Sequence, residues 1–315
     1  VIQVLQVAII GTGKVGVTLA FTILVKNLAK RLLLVGTEIE KVRGEMYDLR
    51  HAQGFLPHSM EIKSVSLSEV TESDVLILTA SRKMTDMKDR LELLTGNVEI
   101  FRNIVPPLAR QNPQAIFIVI TNPVDIMTYL TLRWSGFSPK KVIGTGTLID
   151  SGRFRALIGE YSGIHPADVH AYILGEHGES EFAVFSSATV GGMPLTEQLP
   201  VCRSTCPVKT VPEVFAEAKD GGMMVYRHKG YTNYAIALAA ATLLEAIVED
   251  SGRILPVSTL LEGYAGISNV CLSIPAVIGR EGVLKTLELS FSSVEREALH
   301  RSAEKLKSVI RSLPL

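Results

Sequence analysis

The chain has 315 residues, 47% of them apolar and 20% charged, with 32 basic against 32 acidic side chains. That is enough chain for two domains with ample cores, and the balanced charge exerts no long-range pull toward nucleic acid or an anionic membrane face. Three cysteines, Cys202, Cys206 and Cys271, are too few and too odd in number for a disulfide framework and fit a reducing compartment, the cytoplasm.

The opening run VIQVLQVAIIG reads as a buried strand, since it has neither the basic start nor the small-residue site of a signal peptide. Strands are predicted at Gln6–Ile10, Arg31–Val35, Glu61–Val65, Val75–Thr79, Ile116–Thr121 and Val142–Gly144. Several are continuously apolar, as parallel strands covered on both faces are. Helical patterns occupy Val15–Leu28, Lys41–His51 and Arg90–Gln111. This alternation predicts an α/β fold, a doubly wound parallel sheet of the Rossmann type, over residues 1–146.

Beyond residue 146 the pattern changes. A helix over Leu148–Tyr161 is followed by short strands and turns in DVHAYILGEHG and AVFSSATVGGMPL, then by helices over Val211–Val225 and Tyr231–Glu249. Strands in ILPVSTLLEG and NVCLSIPAVIGREGV and a closing helix complete a second, α+β domain over residues 147–315, expected to carry the substrate and the chemistry. YAIALAAATLLEAIVED is the best candidate for a membrane span, but Glu245 interrupts it and it reads as a buried helix. Cys202 and Cys206 have no histidine nearby, so VCRSTC is not read as a zinc site, and no metal is expected.

GTGKVG places Gly11, Gly13 and Gly16 directly after a strand and at the start of a helix. Gly11 permits the tight turn, Gly13 lets a pyrophosphate approach the backbone, and Gly16 brings helix and strand together. The free N–H groups of the helix start face the phosphates. In dinucleotide sites of this kind an acidic residue follows about 20 positions on and bonds the adenosine ribose. Here that place is Gly36. NAD is the expected cofactor, but no carboxylate stands there to repel the 2′-phosphate of NADP. Thr37 offers a hydroxyl, and Glu38 offers a carboxylate that points in or out.

Four features of the sequence carry chemistry. GEHG sets His177 in a glycine-flanked turn after an apolar strand, and imidazole is the side chain best suited to move a proton near neutral pH. Asp150 and Arg153, three apart in LIDSGRFR, share one face of a helix. A buried carboxylate beside an imidazole fixes its tautomer, and a guanidinium grips a carboxylate in two parallel hydrogen bonds. Asn122 lies just past a strand end, where ligands of open α/β sheets sit. The polar loop ASRKMTDMKDRLELLTGN has the make-up of a lid, with Arg90 near its far edge.

In this order, GTGKVG, GEMYDL, ITNPVD, VIGTGTLIDSGRFR, VHAYILGEHG, KGYTNYAIA and IPAVIGREGV resemble the L-lactate and malate dehydrogenase family. The motifs are nearest those of bacterial L-lactate and L-2-hydroxyisocaproate dehydrogenases. The resemblance implies an enzyme in which His177 exchanges the proton, Asp150 is its partner, Arg153 anchors the substrate carboxylate and Arg90 polarises the carbonyl. Asn122 would meet substrate and nicotinamide ribose, and Thr232 the nicotinamide side of the pocket. The cofactor would be lined by Gly11, Gly13, Lys14, Val15, Gly16, Gly36, Thr37, Thr79, Ala80, Asn97 and Asn122.

Met84 stands where lactate-type relatives carry Gln and malate-type relatives Arg, and it cannot pair with a second carboxylate. With Gly221 and Gly222 in the pocket wall, the implied substrates are pyruvate and larger apolar 2-oxo acids. Arg155 and His170 match positions that bind fructose 1,6-bisphosphate between subunits, which implies an effector site and a homo-oligomer, dimer or tetramer. Two alternatives stay open: a malate-type enzyme tolerant of NADP, and a non-catalytic nucleotide-binding protein of the same fold.

Overall fold

Alternate residues of a strand face opposite sides of a sheet, and in this chain both sides are apolar. Val7 and Ile9 pack into one layer with Leu19 and Ile23, while Ala8 and Ile10 pack into the other with Phe101 and Val105. The same split holds for Leu32 and Leu34 against Leu33 and Val35, and for Ile116 and Ile118 against Phe117 and Val119. Only a sheet sandwiched between helices satisfies such strands. A computed structural model, describing residues 5–82, 90–195 and 209–313, has that sheet.

Strands β1 (Gln6–Ile10), β2 (Arg31–Val35), β3 (Glu61–Ser64), β4 (Val75–Leu78), β5 (Ile116–Val119) and β6 (Val142–Gly144) run parallel in the order β3-β2-β1-β4-β5-β6. Val7 pairs with Leu32 on one side and with Val75 on the other. The chain reverses direction across the sheet between β1 and β4, which opens a crevice at their carboxyl ends. Helices α1 (Lys14–Lys26), α2 (Ile39–Ala52), α3 (Arg90–Gln111) and α4 (Val124–Ser135) flank it.

Helix α4 has no counterpart among the expected elements. VDIMTYLTLRWS is buried on nearly every face, so it shows no amphipathic period, and its two threonines favour a helix poorly. Thr128 and Thr131 resolve the conflict by donating to the carbonyls of Val124 and Met127, both at 2.7 Å. Gly136 ends the helix in the left-handed region, with φ 68°.

The second half contributes α5 (Leu148–Ser162), α6 (Val211–Lys229), α7 (Tyr234–Val248) and α8 (Ser293–Ser312), with short strands β7 (Val169–His170), β8 (Ile173–Leu174), β9 (Phe182–Ala183), β10 (Thr189–Val190) and β11 (Met193–Pro194). Its long strands β12 (Arg253–Tyr264), β13 (Ile267–Gly279) and β14 (Gly282–Thr286) join the first sheet and extend it to nine strands. The join is Ser258 against Gly144. A Cβ on Gly144 would lie 2.9 Å from Cβ of Ser258, so glycine lets the two strands close. One pairing of this kind leaves no trace in hydrophobic periodicity.

A Cβ on Gly16 would stand 1.9 Å from the carbonyl oxygen of Gly11, with no side chain free to yield. Gly16→Ala is therefore expected to cost about 1–3 kcal/mol, the range of core overpacking. A thermal melt of the variant should show a drop of several degrees; an unchanged midpoint would mean that the loop relaxes freely.

Candidate active site

The glycine loop lies at the crevice between β1 and β4. Gly11 holds φ +117°, its N–H donates to Val35 at 2.8 Å, and Thr79 Oγ1 braces it by donating to its carbonyl at 2.6 Å. Gly13 is exposed and caps α1 with no side-chain hydrogen bond, no acid follows in the first turn, and a Cβ there would meet nothing within 4 Å. Uncapped donors and an open approach fit a pyrophosphate. At the end of β2, a Cβ on Gly36 would sit 2.4 Å from Thr12 Oγ1 and 2.8 Å from a Val42 methyl. Thr12 thus fills the space in which an acidic side chain would start. Thr37 and Glu38 beside it are exposed, and Glu40 is paired with Arg43 at 2.6 Å.

Lys14, at the start of α1, lies over the ring of Tyr231 at 5.2 Å. Lys229 lies over Tyr231 at 4.6 Å and Tyr234 at 3.9 Å, and donates to Asn233, which donates to Thr18 of α1 at 2.8 Å. This network docks the turn between α6 and α7, and with it the half-buried Thr232, against the phosphate-binding helix. Val15 follows Lys14, half-buried.

The other strand ends form the rim. Asn97 is fully buried, and its amide is spent on that rim: its oxygen accepts from Arg82 N–H at 2.8 Å and its nitrogen donates to the Asn122 carbonyl at 2.8 Å. Asn122 itself is exposed, after Ala80 and the buried Thr121. Arg90 opens α3, but its side chain lies outside the described residues, as do Met84, Cys202 and Cys206.

His177 Nδ1 lies 2.5 Å from Asp150 Oδ2, and the other oxygen of Asp150 accepts from Arg153 at 2.8 Å. Asp150 is 2% exposed, whereas the side chains of His177 and Arg153 are 23% and 18% exposed. Burial works against the charge of Asp150, but His177 and Arg153 outweigh it and hold the carboxyl below its ordinary range. Burial likewise disfavours the imidazolium of His177. The Asp150 carboxylate, helped by Glu181 and Asp125, prevails and raises the imidazole to about 9. Across the cleft, Cβ atoms on Gly221 and Gly222 of α6 would each come within 3.3 Å of Arg153, so the helix presents bare backbone to the guanidinium.

Residues 5–144 match the NAD binding domain of the lactate/malate dehydrogenases, and residues 147–313 match their alpha/beta C-terminal domain. The chain belongs to the lactate/malate dehydrogenase family. The L-lactate dehydrogenase of Thermoanaerobacter sp. (strain X514) is 39% identical over 310 residues, 98% of this chain and 99% of that one. L-lactate dehydrogenase B of Hordeum vulgare is 40% identical over 304 residues, 96% and 88% of the two chains. Among solved structures, the minor L-lactate dehydrogenase of Enterococcus mundtii in its ligands-bound form gives a TM-score of 0.93 at 33% identity, covering 99% of each chain. The protein is an NAD-dependent oxidoreductase of the lactate dehydrogenase type.

Several residues at this lactate/malate dehydrogenase site escaped the sequence reading. Asp125 of α4 accepts the His177 N–H at 2.8 Å, and burial raises its carboxyl to about 6 against the pull of Ser258 and His177. Ser273 of β13 accepts from Thr147, just ahead of α5, and Ser302 of α8 accepts from Glu176. Glu181 is buried beside the pair. An acid within an apolar run, as in VDIMTYL and ESEFAVF, is the one signal available for Asp125 and Glu181. The serines give none.

Asp150→Asn removes the charge that holds the imidazolium. It should lower kcat for reduction of a 2-oxo acid by ~10²–10⁴-fold, the scale seen when a histidine loses its orienting acid. With His177 as the proton donor of the reduction, wild-type kcat/KM should hold at lower pH and fall as pH rises through about 9. The variant's fall should come at lower pH. Coincident profiles would show that Asp150 does not control the proton on His177.

Proposed function

We propose that this enzyme interconverts 2-oxo and L-2-hydroxy monocarboxylic acids, pyruvate and lactate among them, and accepts larger apolar side chains. The observation that carries this reading is one buried carboxylate engaging both an imidazole and a guanidinium. The names of the relatives, L-lactate dehydrogenases, support it. Nothing favours a malate-specific enzyme or a non-catalytic binding protein over it.

The nicotinamide, when bound, supplies or accepts the hydride at the substrate C2. Arg153, one edge held by Asp150, offers the rest of its fork to the substrate carboxylate and so sets the angle at which the keto carbon is presented. His177 gives its proton to the oxygen as the carbonyl becomes an alkoxide, and takes it back in the reverse direction. Asp150 keeps Nδ1 engaged, so Nε2 is the atom that faces the reacting oxygen. Arg90 is assigned to polarise that oxygen, Asn122 to contact substrate and ribose, and Thr232 to close the nicotinamide side. Gly221 and Gly222 put no side chain into the wall that packs against Arg153, and to this bare wall we assign the acceptance of branched or aromatic side chains. Expected is a higher kcat/KM for pyruvate or phenylpyruvate than for oxaloacetate, read from loss of NADH absorbance. The opposite order would sink the monocarboxylate assignment.

We further infer tolerance of NADP(H), because Gly36 supplies no carboxylate and Thr12 fills the space instead. The phosphates would rest on Gly11, Gly13, Lys14, Val15 and Gly16, and the adenosine ribose near Gly36 and Thr37. Since an aspartate at 36 would crowd the Thr12 hydroxyl, the informative variant is Gly36→Asp with Thr12→Ala. The kcat/KM ratio of NADH to NADPH should rise on the order of tenfold from charge repulsion alone. An unmoved ratio would place the ribose elsewhere.

Arg155 is half-buried, donates to the Ser151 carbonyl at 3.3 Å and, among the described residues, has no carboxylate in ion-pair range. His170 is exposed. This leaves both available to a fructose 1,6-bisphosphate effector shared between subunits. Exposed Phe21, Tyr47, Tyr234 and Leu238 on α1, α2 and α7 support a homo-oligomer, dimer or tetramer. Sedimentation with and without fructose 1,6-bisphosphate tests both. No helix among the described residues is long and apolar enough to cross a membrane, and the sparse cysteines support a cytoplasmic site of action.

A further inference from the structure

We infer that Glu181 is a positioning residue of the proton step, a buried third carboxylate whose own charge state governs the proton exchange of His177. The inference rests on the reading of His177 as the proton carrier.

The geometry is specific. Glu181 stands four residues past His177 and directly before β9, with its N–H donating to the Gly178 carbonyl at 3.3 Å. It is 6% exposed. One of its carboxylate oxygens, one of Asp150 and one ring nitrogen of His177 lie within 4.8 Å of one another. Asp150 spends its two oxygens on His177 and Arg153. The Glu181 side chain, in contrast, has no hydrogen bond or ion pair among the described residues. A buried carboxylate without partners is costly as an anion and is retained more readily as the neutral acid.

The charged groups that face Glu181 are Asp150 and Arg153 from α5, Lys219 from α6 and His177 from its own loop. Asp125 of α4 stands behind the imidazole. Burial raises Glu181 first, and the Asp150 charge adds to it; His177, Lys219 and Arg153 oppose them, and the balance lies at about 8. His177 lets go of its proton at about 9. Burial thus favours the neutral acid at Glu181, and as an anion its charge favours the imidazolium, so the protons of Glu181 and His177 are linked. The proton released goes to solvent, and no other bond changes.

Asp150, His177 and Glu181 are also ligand types for a cation. With Asp150 engaged on both oxygens, the arrangement works as a proton network.

Glu181→Gln keeps the shape and removes the charge. Its kcat/KM for oxo-acid reduction should lose its alkaline limb ~0.5–1 pH unit earlier than wild type, the scale of one partly screened charge. The imidazole of His177, followed by NMR in the protein without cofactor and assigned by its loss in His177→Ala, should titrate lower by the same amount. Glu181→Asp, which keeps the charge, should restore part of the shift.

A Glu181→Gln profile and imidazole titration that coincide with wild type would overturn the inference, as would a fall in kcat at all pH values with no displaced limb. Should the imidazole shift while the wild type turns over no 2-oxo acid, the proposed reaction fails and the Glu181–His177 linkage stands.

Discussion

The Asp150 carboxylate is shared. One oxygen holds the imidazole of His177, the proposed proton carrier; the other holds the guanidinium of Arg153, the proposed substrate anchor. At 2% exposure the anion has little water to solvate it, so its two partners supply nearly all of its stabilisation. Neither partner can leave without stranding a buried charge. His177 and Arg153 are therefore fixed relative to each other through three atoms, more tightly than two surface side chains could be.

Such a group must be held from several directions, and the fold supplies them from distant parts of the chain. The start of α5 is set by Thr147, which donates its N–H to Ser273 of β13 and its hydroxyl to the Ile173 carbonyl of β8. Ser151 makes reciprocal bonds with Ile173. On the other side of the pair, Gly175 bridges to Ser273, Glu176 N–H donates to Ser302 of α8, and His177 N–H donates to Asp125 of α4. Ser273 thus touches both the helix that carries Asp150 and the loop that carries His177. This explains why β13 joins the nucleotide-binding sheet: the long antiparallel pair is the strut against which both halves of the site are registered.

What was legible in the sequence follows from what leaves a periodic or chemical mark. Parallel strands buried on both faces, glycines at a strand–helix turn, and a His between glycines after an apolar run are local patterns, and each stands where local reasoning puts it. Helix α4 escaped because burial on all sides erases amphipathicity. The Ser258–Gly144 join escaped because one cross-strand pair has no local signature. Asp125, Ser273 and Ser302 escaped for a related reason: each acts through hydrogen bonds to residues far off in the chain, His177, Thr147 and Glu176 lying 52, 126 and 126 positions away. Glu181 is different, since an acid in an apolar strand announces a buried charge without naming its neighbours. Thr12 filling the place of a missing acid at Gly36 becomes visible only when the loop and β2 are seen side by side.

The charge economy of the pocket ties these residues to substrate choice. Arg153, Lys219 and protonated His177 bring three positive charges, against which stand Asp150 and Asp125. Glu181 decides the remainder. As an acid it leaves one more unit of positive charge beside Arg153 and His177 than it does as an anion. Burying Glu181 away from hydrogen-bond donors favours its neutral form. A dicarboxylate would need another cation. Beside Arg153, Lys219 gives its ammonium to the Glu179 carbonyl at 2.6 Å. The proposed preference for monoacids would rest on the protonation of a buried acid as well as on the shape of the wall.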